Sequence, residues 1–242
     1  MPRMPVNWQK SFHPTPEISR KLIKKVVKGK DQSQQELSKV MREIAGRLGT
    51  KRAYYMIMTH VVNKLYFPQP KKLIEALTLY REHSLKVAAT CRVLAKSNPR
   101  INPDRAMLAG MSHGIGSLVI VNFLLNSDSF SLGSHETAQA VNTLGPEFTS
   151  LLLKRWKFSD EIVEATESCE DWFRNQGDVA DLCDLMLVAN YHVLMKTDRV
   201  TTLPPISAIP AMKKLNITED ASAALIENSR NERDKIEKML RF

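Results

Sequence analysis

The segment Asn102-Pro-Asp-Arg-Ala-Met-Leu-Ala-Gly-Met-Ser-His-Gly-Ile-Gly116 carries the signals that decide the fold. Asn102 is an N-cap residue. Pro103 takes the first helical position, where its missing N–H costs nothing, and Asp104 places an acid in the first turn. The helix so started ends on His113, which is followed by glycine. Just upstream, His83, Val87, Cys91 and Leu94 recur at helical spacing and share one face.

Outward from this segment the patterns are helical. Ser33-Gln-Gln-Glu36 is a capping box, followed by Leu37, Val40, Met41, Ile44 and Leu48 and then by Gly49 as a stop. A second helix is expected from about Lys51 to Tyr66, ended by Phe67-Pro-Gln-Pro70. A third starts near Lys71 and continues, with room for a break, through His83 to Lys96. Ser134, Gly145-Pro146 and Ser159 read as three further helix starts. The proline cluster from Leu203 to Pro210 reads as a loop, and Thr218 caps a last charged helix from Glu219 to about Leu240. Sustained strand alternation and Asn-Gly or Asp-Gly hairpin turns are missing. The expected fold is all-α: a basic helical N-terminal segment over 1–70 packed on a helical core over 71–200, then a proline loop and C-terminal helix over 201–242.

Composition fits this architecture. A chain of 242 residues, 43% hydrophobic and 25% charged, can bury a sizeable core without staples. The three cysteines, Cys91, Cys169 and Cys183, are odd in number and lack CxxC spacing, which excludes a disulfide framework and the usual zinc-finger patterns. The N-terminus has no secretory apolar stretch, and the run Leu118–Leu125 is too short to span a bilayer, so a cytoplasmic location without a membrane partner is expected. Charge is uneven, with 17 Lys+Arg against 5 Asp+Glu through residue 81 and 18 against 21 beyond it. That asymmetry raises nucleic acid as a partner for the basic half, through Arg20–Lys30 and Lys39–Arg52. The helical spacing of Lys21, Lys24, Lys25 and Lys28 favours a solvated helix face instead. P-loop, GxGxxG, GxSxG and HExxH motifs are absent.

Glu82-His83-Ser84, a helix of small residues, and then Ala109-Gly-Met-Ser-His113-Gly-Ile-Gly116 resemble the HD superfamily of metal-dependent phosphohydrolases. Leu48-Gly-Thr-Lys-Arg52, the helix up to Phe67-Pro68, and Glu147–Trp156 continued by Ser159–Ala165 resemble one branch of it, the HDOD domain (HD-related output domain) of bacterial signalling proteins. The resemblance spans roughly residues 35–195. It implies an HD-like helical bundle in which His83 and His113 stand at the first two metal-ligand positions. It also implies that Gly114 replaces the aspartate of the His-Asp pair, and that Asn190 replaces the final metal-ligand aspartate. The lysine that often follows the turn is Ser117, and the superfamily's intermediate histidines align with Gly145 and with Cys169-Glu170.

These departures bear on chemistry. A hydrolase of this type holds a divalent cation that lowers the pKa of a bound water and clamps the phosphate. Hard cations need charged oxygen ligands. A glycine and a neutral amide remove two carboxylates from such a site. The vestigial positions His83, His113, Gly114 and Asn190 are therefore expected to hold no metal, no cofactor and no catalytic residue. The two imidazoles are expected to be neutral and hydrogen-bonded to backbone or water. The resemblance then implies a non-catalytic signalling or scaffolding module that acts on a partner protein. The alternative is a metal-dependent phosphohydrolase for nucleotides or phosphodiesters, with Cys169 and Glu170 joining the histidines in a rebuilt site. A third reading is nucleic-acid binding by the basic half.

Overall fold

Asn102 caps its helix as expected: its side-chain oxygen accepts hydrogen bonds from the backbone N–H of Asp104 at 3.0 Å and of Arg105 at 2.9 Å. The computed structural model describes residues 74–125 and 135–240, with positions 46, 49, 51, 53–55, 59 and 62 before them. Of the second expected helix, positions 51, 53–55, 59 and 62 are helical. The capping box at Ser33 and the basic stretch Arg20–Lys30 lie outside the described residues.

Among the described residues from 74 onward, eight α-helices follow one another: α1 (Ile74–Lys96), α2 (Pro103–Ser112), α3 (Ile115–Leu125), α4 (His135–Arg155), α5 (Asp160–Glu167), α6 (Leu182–Leu194), α7 (Pro210–Lys214) and α8 (Glu219–Leu240). No strand occurs among the described residues. No helix there is long and apolar enough to cross a membrane.

α1 packs against α2, α6 and α8, while α3 and α4 form a second pair that continues through α5 to α6. Every residue of α6 is buried, which explains why apolar residues dominate its sequence and why its few polar ones, Asp184, Asn190 and His192, all have hydrogen-bond partners. Two contacts set the helix spacing. A Cβ on Gly110 would stand 2.6 Å from the Ala88 Cα, so only glycine lets α2 lie backbone to backbone on α1. A Cβ on Gly116 would run into the Gly145 carbonyl and the Thr149 amide, which brings α3 equally close to α4.

Three expectations change. α1 has no break. Gly145-Pro146 does not start a helix but lies inside α4. An interior proline costs about 3 kcal/mol; here the close packing of α3 on Gly145 holds the helix through it. The proline cluster is not loop throughout: Ile206–Ala208 is a 3₁₀ turn, a second such turn, Asp198–Thr202, precedes the cluster, and Pro210 opens α7. Proline's fixed φ suits the first helical position.

Charge holds the ends of the bundle. Asp181 caps α6: its side chain accepts from the Asp184 backbone N–H, and the Asp184 carboxylate accepts in return from the Asp181 backbone N–H. Arg174 and Lys214 pair with the buried Asp184, so these acids are structural. At the end of α1, Arg92 bridges Asp104 at 2.9 Å and Glu232 of α8 at 2.7 Å, and Lys96 meets Glu232 at 2.6 Å.

Candidate functional site

His83 sits in the middle of α1 and His113 caps the C-terminus of α2. Their rings lie 5.1 Å apart, centroid to centroid. Asn190, fully inside α6, reaches the same cleft. Its Oδ1 lies 3.2 Å from His83 Nε2, and its Nδ2 donates to the Cys169 carbonyl at 3.2 Å. The second bond fixes which way the amide faces, because a carbonyl can only accept. Asn190 therefore presents oxygen to His83, and His83 Nε2 carries a proton and donates it. By the same logic His113 Nδ1 donates to the Gly110 carbonyl at 2.7 Å.

The cleft is neutral for a physical reason. Burial first, and then the neighbouring His113, drive His83 down to about 3, and the Asn190 hydrogen bond opposes them only in part. Burial also lowers His113, against the Gly110 hydrogen bond and the Glu170 charge. The Cys169 thiol is pushed up to about 12 by burial first and then by the Glu170 charge, so it is not a thiolate at neutral pH. Glu170 is exposed, with both carboxylate oxygens on Arg199 at 2.8 and 2.6 Å.

The turn after His113 is held from α4. Thr149 Oγ1 donates to the His113 carbonyl and accepts from the Gly116 amide, each at 3.0 Å.

With this arrangement in view, comparison with known proteins is direct. A family model of the HDOD domain matches residues 32–171. The chain belongs to the HDOD family. No curated protein matches it. Two crystal structures from Shewanella amazonensis SB2B share the HDOD chain's fold. One, named a putative metal-dependent phosphohydrolase, is 17% identical, with a TM-score of 0.63 over 95% of this chain and 93% of that one. The other, named a putative phosphohydrolase, is 19% identical, with a TM-score of 0.54 over 94% of each chain.

The metal that an HD ancestry implies does not fit the donor set of this HDOD cleft. His83, His113 and Asn190 supply two imidazoles and one neutral amide, and Gly114 supplies no side chain. The His83 nitrogen that faces Asn190 already carries a proton, and a metal ligand needs that lone pair. Of the weaker alternative ligands, Cys169 is near but protonated, and Glu170 is held by Arg199. Among the described residues, no three His, Cys, Asp or Glu side chains form a group that could hold a metal ion.

The structure places His83, His113 and Asn190 in one cleft, and beside it Thr149 and Arg199, which the sequence reading did not single out. Thr149 is one helical turn past Gly145, a signal that acquires meaning only once α3 is known to pack there. Arg199 has no local signal, since its partner lies 29 residues away.

Proposed function

We propose that this HDOD chain is a non-catalytic signalling and scaffolding module that works through contacts with a partner protein. The observation that carries this reading is the hydrogen bond from His83 Nε2 to Asn190 Oδ1. Where a hydrolase needs a carboxylate and a bare imidazole nitrogen, this cleft offers an amide and an N–H. Two neutral imidazoles and an amide can satisfy one another and the backbone, but cannot balance a divalent charge. The three buried free thiols fit a reducing compartment.

The test is elemental analysis of the purified chain together with assays on nucleotides and model phosphodiesters. The expected result is no stoichiometric Mn, Fe, Zn or Ni and no turnover. The Gly114→Asp, Asn190→Asp double variant is expected to gain divalent-metal affinity by calorimetry. Gly114 is outside the positive-φ region, so its backbone admits an aspartate. One tightly held metal in wild type, lost in His83→Ala, would replace this reading with the phosphohydrolase alternative.

A further inference from the structure

The inner edge of α4 is fixed in the bundle by Val141, Thr149 and Leu153, all buried. Its outer edge is apolar as well. Leu144 is 39% exposed, Phe148 36% and Leu151 56%, and Arg155 continues the same line in exposed surroundings. The spacing of four, three and four residues is the seam of a helix pair rather than a scatter of surface apolar residues. Such a stripe on a rigid helix has a docking geometry before any partner arrives.

Charge identifies the occupant. Glu147 and Lys154, both exposed, lie two turns apart on one flank of the stripe. A twofold axis level with Ser150 and perpendicular to the helix keeps that flank on the same side in both copies. Antiparallel pairing then sets Glu147 of each copy beside Lys154 of the other, Leu151 over Phe148, and Leu144 over the aliphatic stem of Arg155. A parallel pairing turns the charged flank toward Gly145 and Leu152 and meets neither charge. We infer that the outer face of α4 docks on the same face of a second copy of this chain, with the two helices antiparallel. Lys154 also contacts Glu167 of its own chain at 2.9 Å, but both side chains are exposed, and such surface pairs yield readily to a new partner. The inference does not rest on the non-catalytic reading, since it is independent of what the cleft binds.

The experiment is sedimentation velocity on the full 27.5 kDa chain across about 1–100 µM. A dimer whose population rises with concentration is expected. Phe148→Glu, Leu151→Glu together are expected to weaken association by more than about tenfold, since they place charge at the centre of the seam. Glu147→Lys and Lys154→Glu are each expected to weaken it by roughly threefold to tenfold, and their combination to restore it, because the reversed charges meet again across the axis. Melting curves on every variant confirm that the exposed substitutions leave the fold intact. A chain that stays monomeric throughout, or a dimer indifferent to the Phe148 and Leu151 changes, overturns the proposal. A dimer that loses affinity with the apolar changes but ignores the charge reversals overturns the antiparallel pairing.

Discussion

Two buried polar sites lie along α1, and they are made of opposite materials. Midway along the helix, His83 meets Asn190 and His113 through neutral groups only. At its end, Arg92 and Lys96 close on the carboxylates of Asp104 and Glu232. A buried carboxylate persists where cations touch it and is unfavourable where none does. The ionic site keeps its acids because Arg92 and Lys96 are covalently part of the fold. The cleft would need a metal to play that role, and it holds an amide rather than an acid.

The largest expected effect tests the ionic site. Burial raises the Glu232 carboxyl, but the Lys96 hydrogen bond and the Arg92 and Lys96 charges outweigh it and hold the group below its ordinary 4.5. Glu232→Gln is expected to cost about 2–3 kcal/mol in urea unfolding at pH 7, less than a fully buried pair because Lys96 is half-exposed. A depressed acid stabilises the fold above its unfolded pKa, and that contribution is lost as pH falls through the native value. The gap between wild type and variant is therefore expected to close below about pH 4.5. A loss under about 0.5 kcal/mol would put this site in the class of weak surface pairs and break the contrast.

Next in size is the reverse change in the cleft. Asn190→Asp in metal-free buffer at pH 8 is expected to cost about 2 kcal/mol, because it buries a carboxylate with no cation bonded to it. It is also expected to raise the proton affinity of His83, read by NMR titration, so the penalty shrinks as pH falls. A variant as stable as wild type at pH 8 would show that the cleft accepts a carboxylate unaided.

Wild-type acid sensitivity sharpens the comparison further. His83 titrates at about 3 in the fold against 6.5 for a free imidazole. Its native value is depressed, so its contribution is full above about pH 6.5 and declines as pH falls from there toward 3. Stability is thus expected to fall in two stages: the histidine stage first, and the Glu232 stage below about pH 4.5. His83→Gln is expected to remove part of the first stage and leave the second. A single decline confined to below pH 4.5 would contradict a neutral, partly buried His83.

The smallest effect is at the turn beside the cleft. Thr149→Val keeps the shape but removes both hydrogen bonds to the His113–Gly116 turn, and about 1–2 kcal/mol is expected to be lost. A neutral result would mean that the glycine contact alone positions α3.

Much of the fold was legible because its signals are local. The Asn102 cap, the paired starts at Ser159 and Thr218 and the face shared by His83, Val87 and Cys91 depend on residues within two or three turns of each other. Pro146 was misread for the same reason. Proline chemistry favours a helix start, and only packing against α3 carries the helix through it. The same limit applies to the candidate site. Its two histidines and Asn190 were identified through the resemblance to the HDOD domain, yet their protonation could not be.

By itself the sequence determined which residue types are available: helical patterns, two histidines, an amide and a glycine at positions that the resemblance sets against carboxylates, and three thiols. Only the tertiary structure decided what those residues are. The Cys169 carbonyl, 21 residues from Asn190, orients the amide, and the amide in turn assigns the proton on His83, 107 residues away. Burial among α1, α2 and α6 then keeps both imidazoles neutral. Hydrogen-bond direction and desolvation depend on which groups meet in space, and spacing along a chain does not encode that meeting.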